Sequence, residues 1–417
     1  MYSVDEALEK ILQVFTVLPA ERIPLAQGLG RILAEPITAR ENLPPFDNSS
    51  MDGYALIAAD AAHASAQNPI TLKVVADIPA GTASDRVISR GEAARIMTGA
   101  PLPPGADCVI PIENTDNPPG QFTESGAFPP ATVTLFRALQ PGDYVRFAGE
   151  DIRPGDLILK AGRRLRPADL GALAGLGVPQ VQVVRRPRVA ILSTGDELLR
   201  ADQPLVPGKI RDINSYALAA SVLDMGAQVI PLGTAPDQLN VVLSKLEEAI
   251  RADADLILSS AGVSVGAYDV VKTAMESLGA LDFWKVNMRP GRPLAFGRVG
   301  SIPFIGLPGN PVSALITFEV FARPAIRKMQ GLSLHLPLDE AETTEDMASD
   351  GRRTYARVRL ERDQGRLIAR STGTQSSGAI HSMVQAQGLL IIPEGMKYVP
   401  AGTKLPVRIF EHFEDET

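Results

Sequence analysis

One cysteine, Cys108, stands in a chain of 417 residues. A lone thiol excludes a disulfide within the chain and a thiolate metal cage. Histidine is also scarce. His63, His335, His381 and His412 are scattered without metal-ligand spacing, so a zinc–histidine centre is not expected. Positive charge is not in excess: 41 Lys+Arg against 48 Asp+Glu give a formal net charge of −7. That argues against a protein coating nucleic acid, although it leaves room for local basic patches. No apolar run approaches the roughly 20 residues of a membrane span. The opening "MYSVDEALEKILQVF" lacks the basic and apolar regions of a secretory signal. A cytoplasmic protein that binds neither nucleic acid nor membrane is the expectation.

What is present suits a large globular chain. Hydrophobic residues make up 45% and charged ones 21%, enough for a substantial core. The length fits two to four domains. Ser3 and Glu6 form a capping-box pattern ahead of Val4, Leu8, Ile11, Leu12 and Phe15 at helical spacing. A second helical stretch is expected over about 24–35, ending at Pro36. Short β-type runs follow, "ITLKVVADI", "ARIM", "DCVIPIE" and "TVTLFRAL", broken by Pro/Gly turns. "NPPGQFTESGAFPPA" has the composition of a surface loop. From 187 strands and helices alternate regularly, which signals an open, mostly parallel α/β sheet. The expected helices lie near 214–225, 238–251, 269–278 and 311–329. The tail returns to strands. The expected domains are an elongated mixed N-terminal domain (1–43 plus 146–184), a small β domain inserted into it (44–145), an α/β domain (185–331) and a C-terminal β domain (332–417).

Open α/β sheets bind ligands beyond the carboxyl ends of their strands. Here those ends run into "STGDEL", "GTAPD", "SAGVSVGAYD", "NMRPGRP" and "PGNPVSA". Each turn alone can be a turn and nothing more. Together they converge glycine-turn amides, which attract anions, with Arg289, Arg292, Lys272 and Lys285. Asp196, Glu197, Asp237 and Asp269 join them. Carboxylates beside an anion make sense if they hold a divalent cation bridging to phosphate or hydrogen-bond a heterocycle. The second unusual place is "PPFDNSSMDGYA", which reads either as a solvated loop or as the wall of an active site.

These stretches resemble one family, the molybdopterin molybdenumtransferases (MoeA), which share their fold with the gephyrin E domain. The match runs through "PPFDNSSMDGYA", "RIMTGAPLPPGADCVIPIE", "GEDIRPGD", "STGDEL", "AGVSVGAYD", "MRPGRP" and "GLPGNPVSA", in the family's order and across nearly the whole chain. Two departures stand out. Ala261 replaces a usual glycine, and Arg289 and Arg292 replace usual lysines. The arginines keep the charge and add bidentate geometry.

The resemblance implies insertion of molybdenum from molybdate into adenylylated molybdopterin, with release of AMP and participation of Mg²⁺. It also implies a homodimer, with other cofactor-biosynthesis proteins as partners. By the same resemblance, Asp52, Thr98 and Asp151 are the expected catalytic residues. Thr194, Gly195, Asp196, Gly262, Ser264, Gly266, Arg289, Arg292, Pro308, Gly309, Asn310 and Ser313 are expected to bind substrate. Glu197, Asp237 and Asp269 are the expected metal ligands. The rival expectations are a molybdopterin adenylyltransferase and a gephyrin-like scaffold. The extra β regions weigh against the first, and the full set of cleft residues against the second.

Overall fold

A computed structural model describes residues 1–117, 129–260, 270–334 and 337–410. The chain divides into two compact units. One holds Met1–Arg22, Gly30–Ala34 and Gln182–Thr417, the other Ile23–Leu29 and Glu35–Val181.

Helix α1 (Val4–Leu12) opens the larger unit. Ser3 accepts from the Glu6 amide and the Glu6 carboxylate accepts from Ser3, so the capping box forms. Its face of Val4, Ala7 and Ile11 is buried in the core shared with Val189, Leu256 and Ile326. The helix expected over 24–35 does not form. Leu25–Gln27 make one 3₁₀ turn, then Gly28 and Gly30 (φ 71°) end it. Two glycines and Pro24 deprive the segment of helix propensity. Gly28 is also packed so closely that a Cβ would lie 2.9 Å from Leu170 Cδ2.

The smaller unit is built on a five-stranded sheet. Its strands are β1 (Gly53–Leu56), β2 (Ser65–Ile78), β3 (Glu92–Ile96), β4 (Cys108–Pro111) and β5 (Thr132–Arg137), in the order β4-β1-β3-β2-β5. Successive side chains on a strand point to opposite faces. Tyr54 and Leu56 therefore enter one core, with Cys108, while Ala55 enters the other. Helix α2 (Pro167–Gly175) belongs to this unit and starts with proline at its first turn.

In the larger unit the chain runs β6 (Arg188–Thr194), α3 (Asn214–Asp224), β7 (Gln228–Ala235), α4 (Leu239–Arg251), β8 (Leu256–Ser260), α5 (Val270–Leu278), β9 (Gly279–Lys285), β10 (Pro293–Val299) and β11 (Ile302–Leu307). The sheet order is β7-β6-β8-β11-β10-β9. β7, β6, β8 and β11 are parallel; β10 is antiparallel to β11 and to β9. Two reversals give β9 the direction of the parallel set, so all five of these strands end on one edge. The expected long helix over 311–329 is interrupted. α6 (Pro311–Thr317) widens into a π turn, Phe318–Ala322, before α7 (Arg323–Met329). Pro324 has no N–H for the carbonyl four residues back, and its ring crowds that carbonyl; the wider turn accommodates both.

The unit closes with β12 (Asp339–Thr343), β13 (Arg353–Asp363), β14 (Arg366–Ser371), β15 (Gly388–Ile392) and β16 (Lys404–Ile409). They pair as β13-β14-β12-β16-β15 and back to β13, a closed barrel. The two-residue strand Met288–Arg289 adds to β13. Among the described residues no helix is long and apolar enough to cross a membrane.

Candidate active-site cleft

At the carboxyl edge of the α/β sheet, Ser193 is in register with Ser260, Ser260 with Leu307, and Lys285 with Pro293. A cleft of about 720 Å³ opens there. Of the residues expected to bind substrate or metal, Thr194, Glu197, Arg292, Pro308, Gly309 and Asn310 line it. Asp212, Asn214, Ser260, Trp284 and Lys285 line it too. Gly262, Ser264, Gly266 and Asp269 lie outside the described residues.

Local geometry explains the turn after β6. A Cβ on Gly195 (φ 150°) would fall 2.6–2.8 Å from the Glu197 carboxylate, so only glycine lets that side chain fold back. The Asp196 Oδ1 accepts from the Asp237 amide at 3.1 Å and ties this turn to the one after β7. The Asp237 carboxyl is held above its ordinary value by burial first; a backbone hydrogen bond opposes this, and the negative charges of Asp196 and Glu197 add to it. Asp237 thus lies within reach of the charges on Asp196 and Glu197. Among the described residues no three metal-binding side chains converge on one point. The grouping suits a small hard cation that takes one or two carboxylates and completes its shell with water or phosphate oxygens, rather than a closed protein cage.

The start of α3 supplies a hydrogen-bond network that was not expected from the sequence. Asn214 Nδ2 donates to Ser260 Oγ (2.6 Å) and to the Gly309 carbonyl (2.7 Å), linking three strand ends. The hydroxyls of Ser193 and Thr194 are buried on β6 and have no hydrogen-bond partner among the described residues. The "RDIN" tetrapeptide at a helix start was the available signal. That tetrapeptide follows a loop about twenty residues past β6, outside the turns that directly end the strands.

The two arginines of "NMRPGRP" part company. Arg292 lines the cleft. Arg289, on the strand added to the barrel, forms a 3.8 Å ion pair with Asp350. Near it lies Arg357, only 1% exposed on β13. Arg357 donates to Ser382 Oγ (3.1 Å) and to the carbonyls of Thr374 (3.3 Å) and Ser376 (3.1 Å). Among the described residues no carboxylate pairs with it. Burial, then the charge of Arg289, lowers its pKa to about 10. The adjoining Ser377 carbonyl accepts from Val312 in the first turn of α6, where Ser313 is buried.

Asp52, Thr98 and Asp151 belong to the smaller unit. Asp52 Oδ1 accepts from the Thr98 amide (2.7 Å) and hydroxyl (2.8 Å), joining positions 46 residues apart. The following residue must be glycine, because a Cβ on Gly53 would lie 1.8 Å from the Ile110 carbonyl oxygen. Asp47 Oδ1 accepts from the Ala148 amide at 2.7 Å and fixes the neighbouring loop. Asp151 is exposed, with its amide bonded to the Leu43 carbonyl.

The chain matches three family models: "MoeA N-terminal region (domain I and II)" over residues 2–177, "Probable molybdopterin binding domain" over 190–328 and "MoeA C-terminal region (domain IV)" over 340–410. It is 40% identical to molybdopterin molybdenumtransferase 2 of Mycobacterium tuberculosis, covering 98% of this chain and 99% of that one. It is 35% identical to the molybdopterin molybdenumtransferase of Bacillus subtilis, covering 97% and 93%. A solved molybdopterin biosynthesis MoeA protein from Pyrococcus horikoshii superimposes with a TM-score of 0.82 at 32% identity, covering 99% of this chain and 100% of that one.

Proposed function

The chain belongs to the molybdopterin molybdenumtransferase (MoeA) family, and on that premise we propose that it inserts molybdenum from molybdate into adenylylated molybdopterin, releasing AMP with Mg²⁺ taking part. The observation that carries this reading is the cleft at the sheet edge, where Glu197 shares one cavity with Arg292 and Lys285. A phosphate-bearing substrate with a cation calls for both charges.

Arg292 and Lys285 neutralise oxyanion charge, and Asn310 and Gly309 present the start of α6, whose dipole favours an anion. Arg357, buried with no carboxylate partner among the described residues and close enough to feel Arg289, supports an oxyanion position for molybdate. Glu197 and Asp237 are the residues that would hold Mg²⁺. When bound, the ion neutralises phosphoanhydride charge. Asp52 spends one oxygen on Thr98 and keeps the other to orient water or molybdate. A homodimer is part of the proposal. The exposed Leu205, Val206, Tyr216 and Leu223 of the larger unit support it.

The deciding experiment incubates the protein with adenylylated molybdopterin, Mg²⁺ and molybdate. AMP release and reconstitution of a molybdoenzyme apoprotein are followed together. AMP release that needs molybdate and yields active cofactor supports the proposal; formation of adenylylated product from molybdopterin and ATP would support an adenylyltransferase instead.

A further inference from the structure

Asp212 has no part in the reading above, yet it stands between two cavities. It lines the 720 Å³ cleft and also a second cavity of about 350 Å³ beside Thr234 and Tyr216. Only 5% of it is exposed. Its carboxylate accepts from the Ser215 amide in the first turn of α3 at 3.1 Å and from Thr234 Oγ1 at 3.3 Å. Among the described residues no cation pairs with it. Arg200, which shares the second cavity, is paired with Asp202 instead. A carboxylate has about four lone-pair sites, so two neutral donors leave it under-satisfied for its burial.

Two residues on, Asn214 presents a second acceptor to the same cleft. The Gly309 carbonyl can only accept, so it fixes the Asn214 amide with Nδ2 toward it. Both amide hydrogens are spent on Ser260 and Gly309, and Oδ1 remains to accept. Trp284 adds aromatic surface to that cleft. Ser193, whose buried hydroxyl lacks a partner among the described residues, is in register between Thr234 and Ser260.

Acceptor atoms that none of the described residues satisfies, beside an aromatic wall, select a planar heterocycle whose edge carries adjacent N–H groups. A 2-amino-4-oxopyrimidine edge offers its amino N–H and ring N–H side by side, and it meets a carboxylate as an arginine fork does. Adenine sets a ring lone pair beside its amino group and lacks that paired-donor edge. We infer that Asp212, with Asn214 beside it, reads this edge of the substrate's pterin. The inference rests on the reading of the substrate as a molybdopterin derivative. Guanine shares the edge, so the test must separate the two.

Binding of 6-carboxypterin, 6-carboxylumazine and GMP to the full-length protein is measured by fluorescence or calorimetry. Lumazine carries oxygen in place of the 2-amino group. The wild type should prefer the pterin over the lumazine by about tenfold or more, and over GMP. Asp212→Asn should weaken pterin binding by about tenfold and erase the preference, with an unchanged Tm, since an asparagine Oδ1 can accept from the Ser215 amide as the aspartate does. The inference is overturned by any of four results: no pterin binding at millimolar concentration, equal binding of pterin and lumazine, equal binding of pterin and GMP, or a preference kept in Asp212→Asn. The wild-type comparison needs no variant, so a folding defect in Asp212→Asn does not blunt it. AMP release is assayed on the same wild-type preparation. A protein that releases AMP but fails the pterin test keeps its proposed function and loses Asp212 as the reader; one that fails both loses both.

Discussion

At the scale of single residues, Asp52 makes the sharpest claim. Its Oδ1 holds the Thr98 amide and hydroxyl. Asn in its place can still accept from both through its own Oδ1, so Asp52→Asn should leave the Tm unchanged while abolishing AMP release. Turnover near the wild-type rate would remove Asp52 from the chemistry. Arg289→Ala combined with Arg292→Ala should raise the molybdate concentration needed for half-maximal cofactor formation by about tenfold or more, a loss of about 1.4 kcal/mol or more. Unchanged molybdate dependence would reduce both to surface charge. Asp237 gives a pH prediction. Its carboxyl is raised above 3.8 in the folded protein, by burial first. Well below that value both states carry the proton and nothing is lost. As pH rises through the folded value, ionisation costs the folded state. Asp237→Asn should therefore raise the Tm at about pH 7 but not at about pH 3, and Mg²⁺ should stabilise the wild type more than the variant. A Tm gain that persists in acid would contradict this.

Elements carry a different kind of claim. The turn between β9 and β10 depends on Gly291, at φ 98°, where a Cβ would lie 2.4 Å from the buried Thr317 Oγ1. Gly291→Ala should cost about 2 kcal/mol and lower activity by displacing Arg292, measured by denaturant unfolding and AMP release. The regular elements were legible because each shows one period. Asn214–Asp224, Leu239–Arg251 and Val270–Leu278 fall within a residue of their expected bounds. No helix forms over 24–35 because Gly28, packed against Leu170, and Gly30, at positive φ, end the turn begun at Leu25. The π turn was encoded in Pro324, inside an otherwise continuous apolar pattern. Much of the cleft was legible, since the carboxyl-end rule locates a site from strand order alone. Asp212 and Asn214 were not, because a helix start distant in sequence carries them to the sheet edge. Nor was Arg357, since an arginine inside "TYARVRL" reads as an exposed strand position until the closing of the barrel buries it.

On the scale of the whole molecule, the smaller and larger units each own hydrophobic clusters. A chain spanning 23–181 should therefore give a cooperative thermal transition by circular dichroism, and a featureless melt would argue against its autonomy. The full-length protein should elute as a dimer with its mass measured by light scattering, as the exposed Leu205, Val206 and Tyr216 suggest; a monomer at micromolar concentration would count against the proposed assembly. One small piece of the fold reaches further than its size. The strand Met288–Arg289 is hydrogen-bonded to the barrel through β13, and three residues later the same backbone delivers Arg292 to the cleft. The barrel is thus a splint for the turn proposed to bind the anion. Truncating the chain ahead of the barrel would leave the α/β sheet with its ligand-facing edge but with the arginine turn unmoored, so loss of a distal domain would surface first as a defect in handling oxyanions.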